Sequence, residues 1–213
     1  MSKRKILTYL YFAFLFLDVF GVLFPAIIDR KYTTFLPLPV LLILYFVSVK
    51  RINWYYVIAL VFTFLGVIFF YKRTYFEIGL VSYAAGVLFY VIISLKQATV
   101  ISIKSVCIAI VPFLIIYLVP LILYSDAVGG DVFNYIMLYV FFVGFFFLIS
   151  SLIYINQSNK RNLWLLISGM VFVVSTIMHG YNLFFGYVAE VKIGVIITFL
   201  LMHYAMYRYV ELE

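Results

Sequence analysis

The chain has 213 residues, 68% of them hydrophobic and only 11% charged, with a mean hydropathy of +1.20. A soluble domain carries about 25% charged residues, so this sequence could not cover a water-facing surface and reads as a membrane protein. The formal charge of +7 comes from 15 Lys and Arg against 8 Asp and Glu. Those cations lie at the ends of apolar runs and not on one soluble face, which excludes a nucleic-acid-binding role.

Eight apolar runs follow one another, over 6–24, 35–49, 54–71, 76–95, 105–124, 133–155, 163–185 and 191–209. A helix rises about 1.5 Å per residue, so runs of this size predict eight membrane-spanning helices, the second of them short. The first follows the basic start MSKRK and resembles a signal peptide, but it is too long and no small-residue cleavage site follows it. The second opens with Pro37 and Pro39, which a first helical turn tolerates. The fifth contains Pro112 and Pro120, which should kink it. Its Cys107 is the one cysteine, which excludes an internal disulfide or a Cys metal site and reads as a small buried hydrophobe. The DAVGGD loop precedes the sixth run, and nothing is left over for a soluble domain. The fold class is therefore all-α integral membrane, one transmembrane domain over 1–213.

The basic residues set an orientation. With the N-terminus inside, Lys3, Arg4, Lys5, Lys50, Arg51, Lys96, Lys104, Lys160, Arg161 and Arg208 fall on the cytoplasmic side. Arg30, Lys31, Lys72, Arg73 and Lys192 fall outside, beside Asp29, Glu77, Asp126, Asp131 and Glu190. The positive-inside rule then predicts both termini in the cytoplasm. In a bacterium that membrane would be the inner, plasma membrane.

The seventh run is unlike the others because it carries a polar stripe. Ser168, Ser175 and Asn182 recur every seven residues, with Thr176 and His179 beside them. At helical spacing these share a side, which should look into a bundle and not at lipid. Asp18 is the one carboxylate well inside a predicted span; a charge at mid-bilayer costs about 2.5–3.5 kcal/mol on insertion scales and needs a partner. Tyr11, Asp18 and Pro25 mark its helical face, and Gly21 permits a close approach there. Asp18, His179 and Asn182 are predicted at similar depth, so the sequence suggests that they converge on one pocket towards the outer leaflet. The carboxylate reads either as a catalytic or orienting acid or as a hydrogen-bonded packing group. Ser175 and Thr176 read more readily as back-bonded helix groups than as nucleophiles. His203 lies in the cytoplasmic half of the eighth span, away from His179. With no HExxH, phosphate loop or dinucleotide fingerprint, neither a metal nor a cofactor is predicted. Gly79, Ser82 and Gly86 in the fourth span, and Thr63 and Gly66 in the third, predict close helix packing.

The motifs on these spans resemble those of the YhhN family of eight-span proteins, whose characterised members are lysoplasmalogenases. ALVFTFLGVIFFYKRTYFEIGLVSYAAGVLFYV is similar to the family's LFSxxGDxxL followed by FxxGLxxFxxAHxxYI. SGMVFVVSTIMHGYNLF is similar to GALxFxxSDxxLAxNxF, ITFLLMHYAMYRYV to LTYxxAQYxIV, and LPLPVLLILYF to KPLxxxLLLxY. Gly66, Gly79, Tyr90, Ser175, Asn182, Thr198 and Tyr204 match the pattern. Val67 stands where the family has its first Asp, Gly86 where it has His, Thr176 where it has its second Asp, Leu36 where it has Lys, and His203 where it has Gln. The resemblance implies a substrate site containing Ser175, Thr176, Asn182, Gly86, Tyr90 and Tyr204. Acid–base chemistry needs titrating groups, and Val67 and Gly86 supply none.

Three readings follow. In one, the chain is a YhhN-type protein that binds membrane lipid, a lysophospholipid included, or a membrane partner, without catalysis. In another, it hydrolyses the alkenyl ether of a lysophospholipid with Asp18 as acid and His179 as base. The third, a small transporter, is motivated by the prolines of the fifth span and weakened by the lack of paired broken helices.

Overall fold

In the computed structural model the described residues are 2–71, 73–98, 102–125 and 128–213, with only the backbone of Arg73 and Tyr124. Lys72 and Asp126, assigned above to the outer side, lie outside them, as does the side chain of Arg73. The described residues form nine α-helices: α1 (Lys3–Leu23), α2 (Arg30–Thr33), α3 (Pro37–Ser48), α4 (Trp54–Tyr71), α5 (Phe76–Gln97), α6 (Ile103–Ser125), α7 (Asp131–Asn156), α8 (Lys160–Phe184) and α9 (Ala189–Glu211). With α2 and α3 counted as one crossing, Arg30–Ser48, eight segments are long and apolar enough to span a bilayer.

Local sequence explains most of the ends. The Ser2 hydroxyl accepts from the Lys5 amide and starts α1. Asp29 caps α2 and Asn159 caps α8 in the same way, satisfying an otherwise orphaned N–H. Pro37 lies in the first turn of α3, where a missing N–H costs nothing. Gly130, at φ +67°, precedes α7, and Gly186, at φ +137°, lies in the turn from α8 to α9; a side chain would strain both. α6 remains helical through Pro112 and Pro120.

Seven of the crossings close into a ring. α1 packs on α3, α3 on α4, α4 on α5, α5 on α7, α7 on α8, α8 on α9, and α9 returns to α1. Tyr11, Tyr45, Tyr56, Tyr90, Phe146 and Phe172 are among the fully buried side chains inside it. α6 stands outside this ring against α7, with Phe113 seated on Gly144, where an added Cβ would lie 3.2 Å from the ring. Its other faces are apolar and open, with Ile103 84% and Ile122 67% exposed. Such surface is stable only against lipid. Cys107 lies on an exposed face of α6; the expectation that it is buried was wrong, because this span has one main neighbour where the others have two or more.

Small residues set the closest approaches. A Cβ on Gly86 of α5 would lie 2.8 Å from Thr63 Oγ1 and 3.1 Å from the Ala59 carbonyl of α4. A Cβ on Gly66 would lie 2.7 Å from the Tyr83 ring, and one on Gly79 would lie 2.5 Å from the Phe70 ring. In lipid, packing of this kind replaces the water-exclusion force that drives soluble folding.

Both ends of the chain meet at one end of the ring. Arg4 pairs with Glu211 at 2.5 Å, and Arg208 pairs with it at 3.0 Å. Glu213 accepts from Gln97 at 2.6 Å and from Asn53 at 3.3 Å, while Arg161 reaches Gln97 at 3.1 Å. Glu211 and Glu213, the latter also 3.7 Å from Arg161, thus tie together α1, the α3–α4 turn, α5 and α8.

Candidate functional site

α8 presents its stripe inward. Leu165, Ser168, Phe172 and Ser175 are buried, while Met170, Val174, Ile177 and Tyr181 lie 47–55% exposed on the opposite face. The Ser168 hydroxyl donates to the Met202 carbonyl of α9 at 2.9 Å. Thr176 follows Ser175 directly, and His179, one turn further along, lies towards the end of the ring opposite the chain termini.

A cavity of about 290 Å³ opens there, among α1, α2, α3, α4, α5, α8 and α9. Its polar wall holds Asp18, Arg30, Thr34, His179 and Lys192. Phe70, Tyr83, Leu183, Ile196 and Phe199 are among its apolar walls, and Tyr71 and Leu183 at its edge are exposed. A smaller cavity of about 60 Å³ adjoins it between α5, α7 and α8, lined in part by Ser175, Thr176 and His179. Phe70, Tyr83, His179, Leu183 and Phe199 border both cavities, so they form the partition.

Asp18 meets a partner that its span does not contain. Arg30 folds back over Gly21, whose missing side chain leaves room for the arginine stem. Its Nε donates to Asp18 Oδ1 at 3.2 Å and its terminal nitrogen donates to Oδ2 at 3.1 Å. The hydroxyls of Thr33 and Thr34 also donate to Oδ1, at 2.7 and 2.9 Å. Four donors satisfy one buried carboxylate, and a paired guanidinium balances its charge. Lys192 Nζ, by contrast, has neither a hydrogen bond nor an ion pair among the described residues. His179 packs edge-on to Phe70, and its Nε2 has no hydrogen-bond partner.

Asp18 and His179 therefore line one cavity, but Asn182 does not join them. Its amide donates to the Val188 carbonyl at 3.2 Å and accepts from the Val188 N–H at 2.9 Å. The expected convergence of three residues is corrected to two, because the chain reversal at Gly186 takes the Asn182 amide for its own backbone. Three other candidates also lie away from both cavities. Gly86 abuts Thr63 and Ala59. The Tyr90 hydroxyl shares a 2.8 Å hydrogen bond with His203 Nδ1 in the core. Tyr204 packs with Tyr11, Phe12 and Trp164. Ser175 and Thr176 do border the smaller cavity, and Tyr139 and Thr176 hydroxyls lie 3.3 Å apart. Sequence reasoning passed over Arg30, Thr34 and Lys192 as loop or span-end groups, although a lysine one turn inside an apolar helix is itself a signal.

Among the described residues no three His, Cys, Asp or Glu side chains cluster. Val67, which replaces the motif's first Asp, borders the larger cavity, and Thr176, which replaces the second, borders the smaller. The profile of the YhhN family matches residues 31–210. The chain belongs to the YhhN family. No curated protein and no solved structure matches it. It is an integral membrane protein of that family, all-helical, with eight membrane-spanning segments.

Proposed function

We propose that this YhhN protein holds a single-chain amphiphile of the lysophospholipid class without cleaving it, its termini in the cytoplasm and its cavity towards the outer leaflet. The observation that carries the reading is the larger cavity, with cations at one wall and aromatic and aliphatic side chains at the others. Ligand sites occupy about 300–1,000 Å³, so 290 Å³ suits the polar end and first methylenes of one chain better than a two-chain lipid. The exposed edge at Tyr71 and Leu183 gives the rest of the chain a way out towards the membrane.

Loss of catalysis follows from the same walls. Val67 and Thr176 put a methyl-bearing side chain at each position where the family pattern has Asp. Asp18 does not replace them, since Arg30, Thr33 and Thr34 occupy its oxygens. The orientation rests on the ten cations at the end that carries the termini.

A second reading has one observation in its favour. The unpartnered Nε2 of His179 borders both cavities and could take a proton from water. The two readings separate in one assay. Purified protein mixed with lysoplasmalogen should retain the lipid at one per chain, releasing no aldehyde. Aldehyde release that His179→Ala abolishes would establish the hydrolase instead.

A further inference from the structure

We infer that the larger cavity selects amphiphiles whose head carries a net negative charge, and that Lys192 is the residue that makes the choice. The inference rests on the proposed binding function and names the chemistry of its ligand.

Charge in the cavity is uneven once its pairs are removed. Four groups on its wall can carry charge: Asp18, Arg30, His179 and Lys192. Asp18 and Arg30 cancel each other through two parallel N–H···O bonds. Three of the four donors crowd Oδ1 and the Arg30 guanidinium balances the charge, so an incoming ammonium meets a paired acid in place of a free one. Lys192 is left as a cation with no acid of its own among the described residues. The other acids on this side are turned away from it among the described residues. Asp29, Glu77, Asp131 and Glu190 are all exposed, and Asp29 caps α2 by accepting from the Lys31 amide. None of the four lines the cavity.

An unpaired ammonium beside apolar walls attracts an anion more strongly than it would in water, because the surroundings screen it less. A zwitterionic head brings an ammonium of its own, for which the wall offers no free carboxylate. Such a head must leave that cation in solvent or place it near Lys192. A carboxylate or a phosphodiester with an uncharged substituent meets no such opposition. The shared ligand chemistry is thus one alkyl chain ending in a monoanion. A fatty acid and a lysophosphatidylglycerol both satisfy it.

The test uses the full-length protein in a neutral detergent and three probes with the same oleoyl chain: oleate, lysophosphatidylglycerol and lysophosphatidylcholine. Bound lipid is read by native mass spectrometry across a titration. The expected result is that the anionic probes bind at least about tenfold more tightly than the zwitterion, the scale of one charge-assisted hydrogen bond. Preference for oleate over lysophosphatidylglycerol, or the reverse, identifies the head as carboxylate or phosphate. Lys192→Gln should remove the preference, so that the three probes bind with similar affinity. Lys104→Gln, an exposed lysine of α6, should leave the preference intact. Equal binding of all three probes to the unaltered protein would overturn the selectivity and spare the binding site. A preference lost equally in both variants would show a general charge effect and overturn the role of Lys192. Failure of every probe to bind would overturn the proposed function itself.

Discussion

Arg30 and Asp18 are joined by two hydrogen bonds, 3.2 and 3.1 Å long, across a chain reversal of twelve residues. The pair fixes the end of α1 to the start of the second crossing and forms one wall of the cavity. Removing one member of a buried ion pair strands the other and costs about 3–5 kcal/mol, whereas replacing both with apolar groups is often neutral. Arg30→Met should therefore lower the thermal midpoint in detergent sharply, and Asp18→Leu with Arg30→Met should recover most of the loss. A single variant as stable as the parent would show that the pair contributes little to the fold.

Gly21 is the notch that lets Arg30 through. An added Cβ there would lie 2.7 Å from Arg30 Cγ and 3.3 Å from the Ile28 carbonyl. Gly21→Val should displace the arginine and destabilise the protein by about 1–3 kcal/mol, the range for overpacking. The same substitution in an Arg30→Ala background, which removes that Cγ, should cost clearly less, a coupling that a double-mutant cycle of unfolding measurements would read.

Tyr90 and His203 form a buried pair in the core, and the second imidazole nitrogen has no partner. Tyr90→Phe removes the one hydrogen bond to that ring and should cost about 1–3 kcal/mol. His203→Gln introduces the residue that the family pattern has there. It keeps a polar group for Tyr90, so its cost should be smaller. Unfolding midpoints of the two variants, compared side by side, check the order.

Glu211 and Glu213 close the opposite end. The Glu211 side chain is 8% exposed and serves two arginines, whereas that of Glu213 is 39% exposed. Exposed pairs contribute about 0–1 kcal/mol and buried ones lose more when one partner is removed. Glu211→Ala should lower the melting temperature more than Glu213→Ala, and high salt should reduce the effect at 213 more than at 211.

Much of this architecture could be read from residue order. Eight apolar runs became eight crossings because a bilayer demands a fixed length of helix and leaves no unpaired backbone. The stripe of α8 turned inward at Ser168 and Ser175, as period 3.6 requires. Gly79 and Gly86 met α4 where their spacing placed them. The site was less legible. Arg30 reaches Asp18 across a turn, and no periodicity connects residues on either side of a reversal. Asn182 carries the same spacing as Ser175, yet a turn begins within reach of its amide and uses both ends of it. Cys107 looked buried because its span is apolar, and hydropathy does not reveal that α6 lies outside the ring.

Lysoplasmalogen tests most directly whether the cavity keeps a single-chain lipid intact. The purified protein, saturated with this lipid and incubated, should yield one uncleaved molecule per chain by mass spectrometry with no fatty aldehyde above the protein-free control. Val67→Trp, which fills the cavity from α4, should reduce the bound lipid. Steady aldehyde release, or undiminished lipid on the filled variant, would contradict the account.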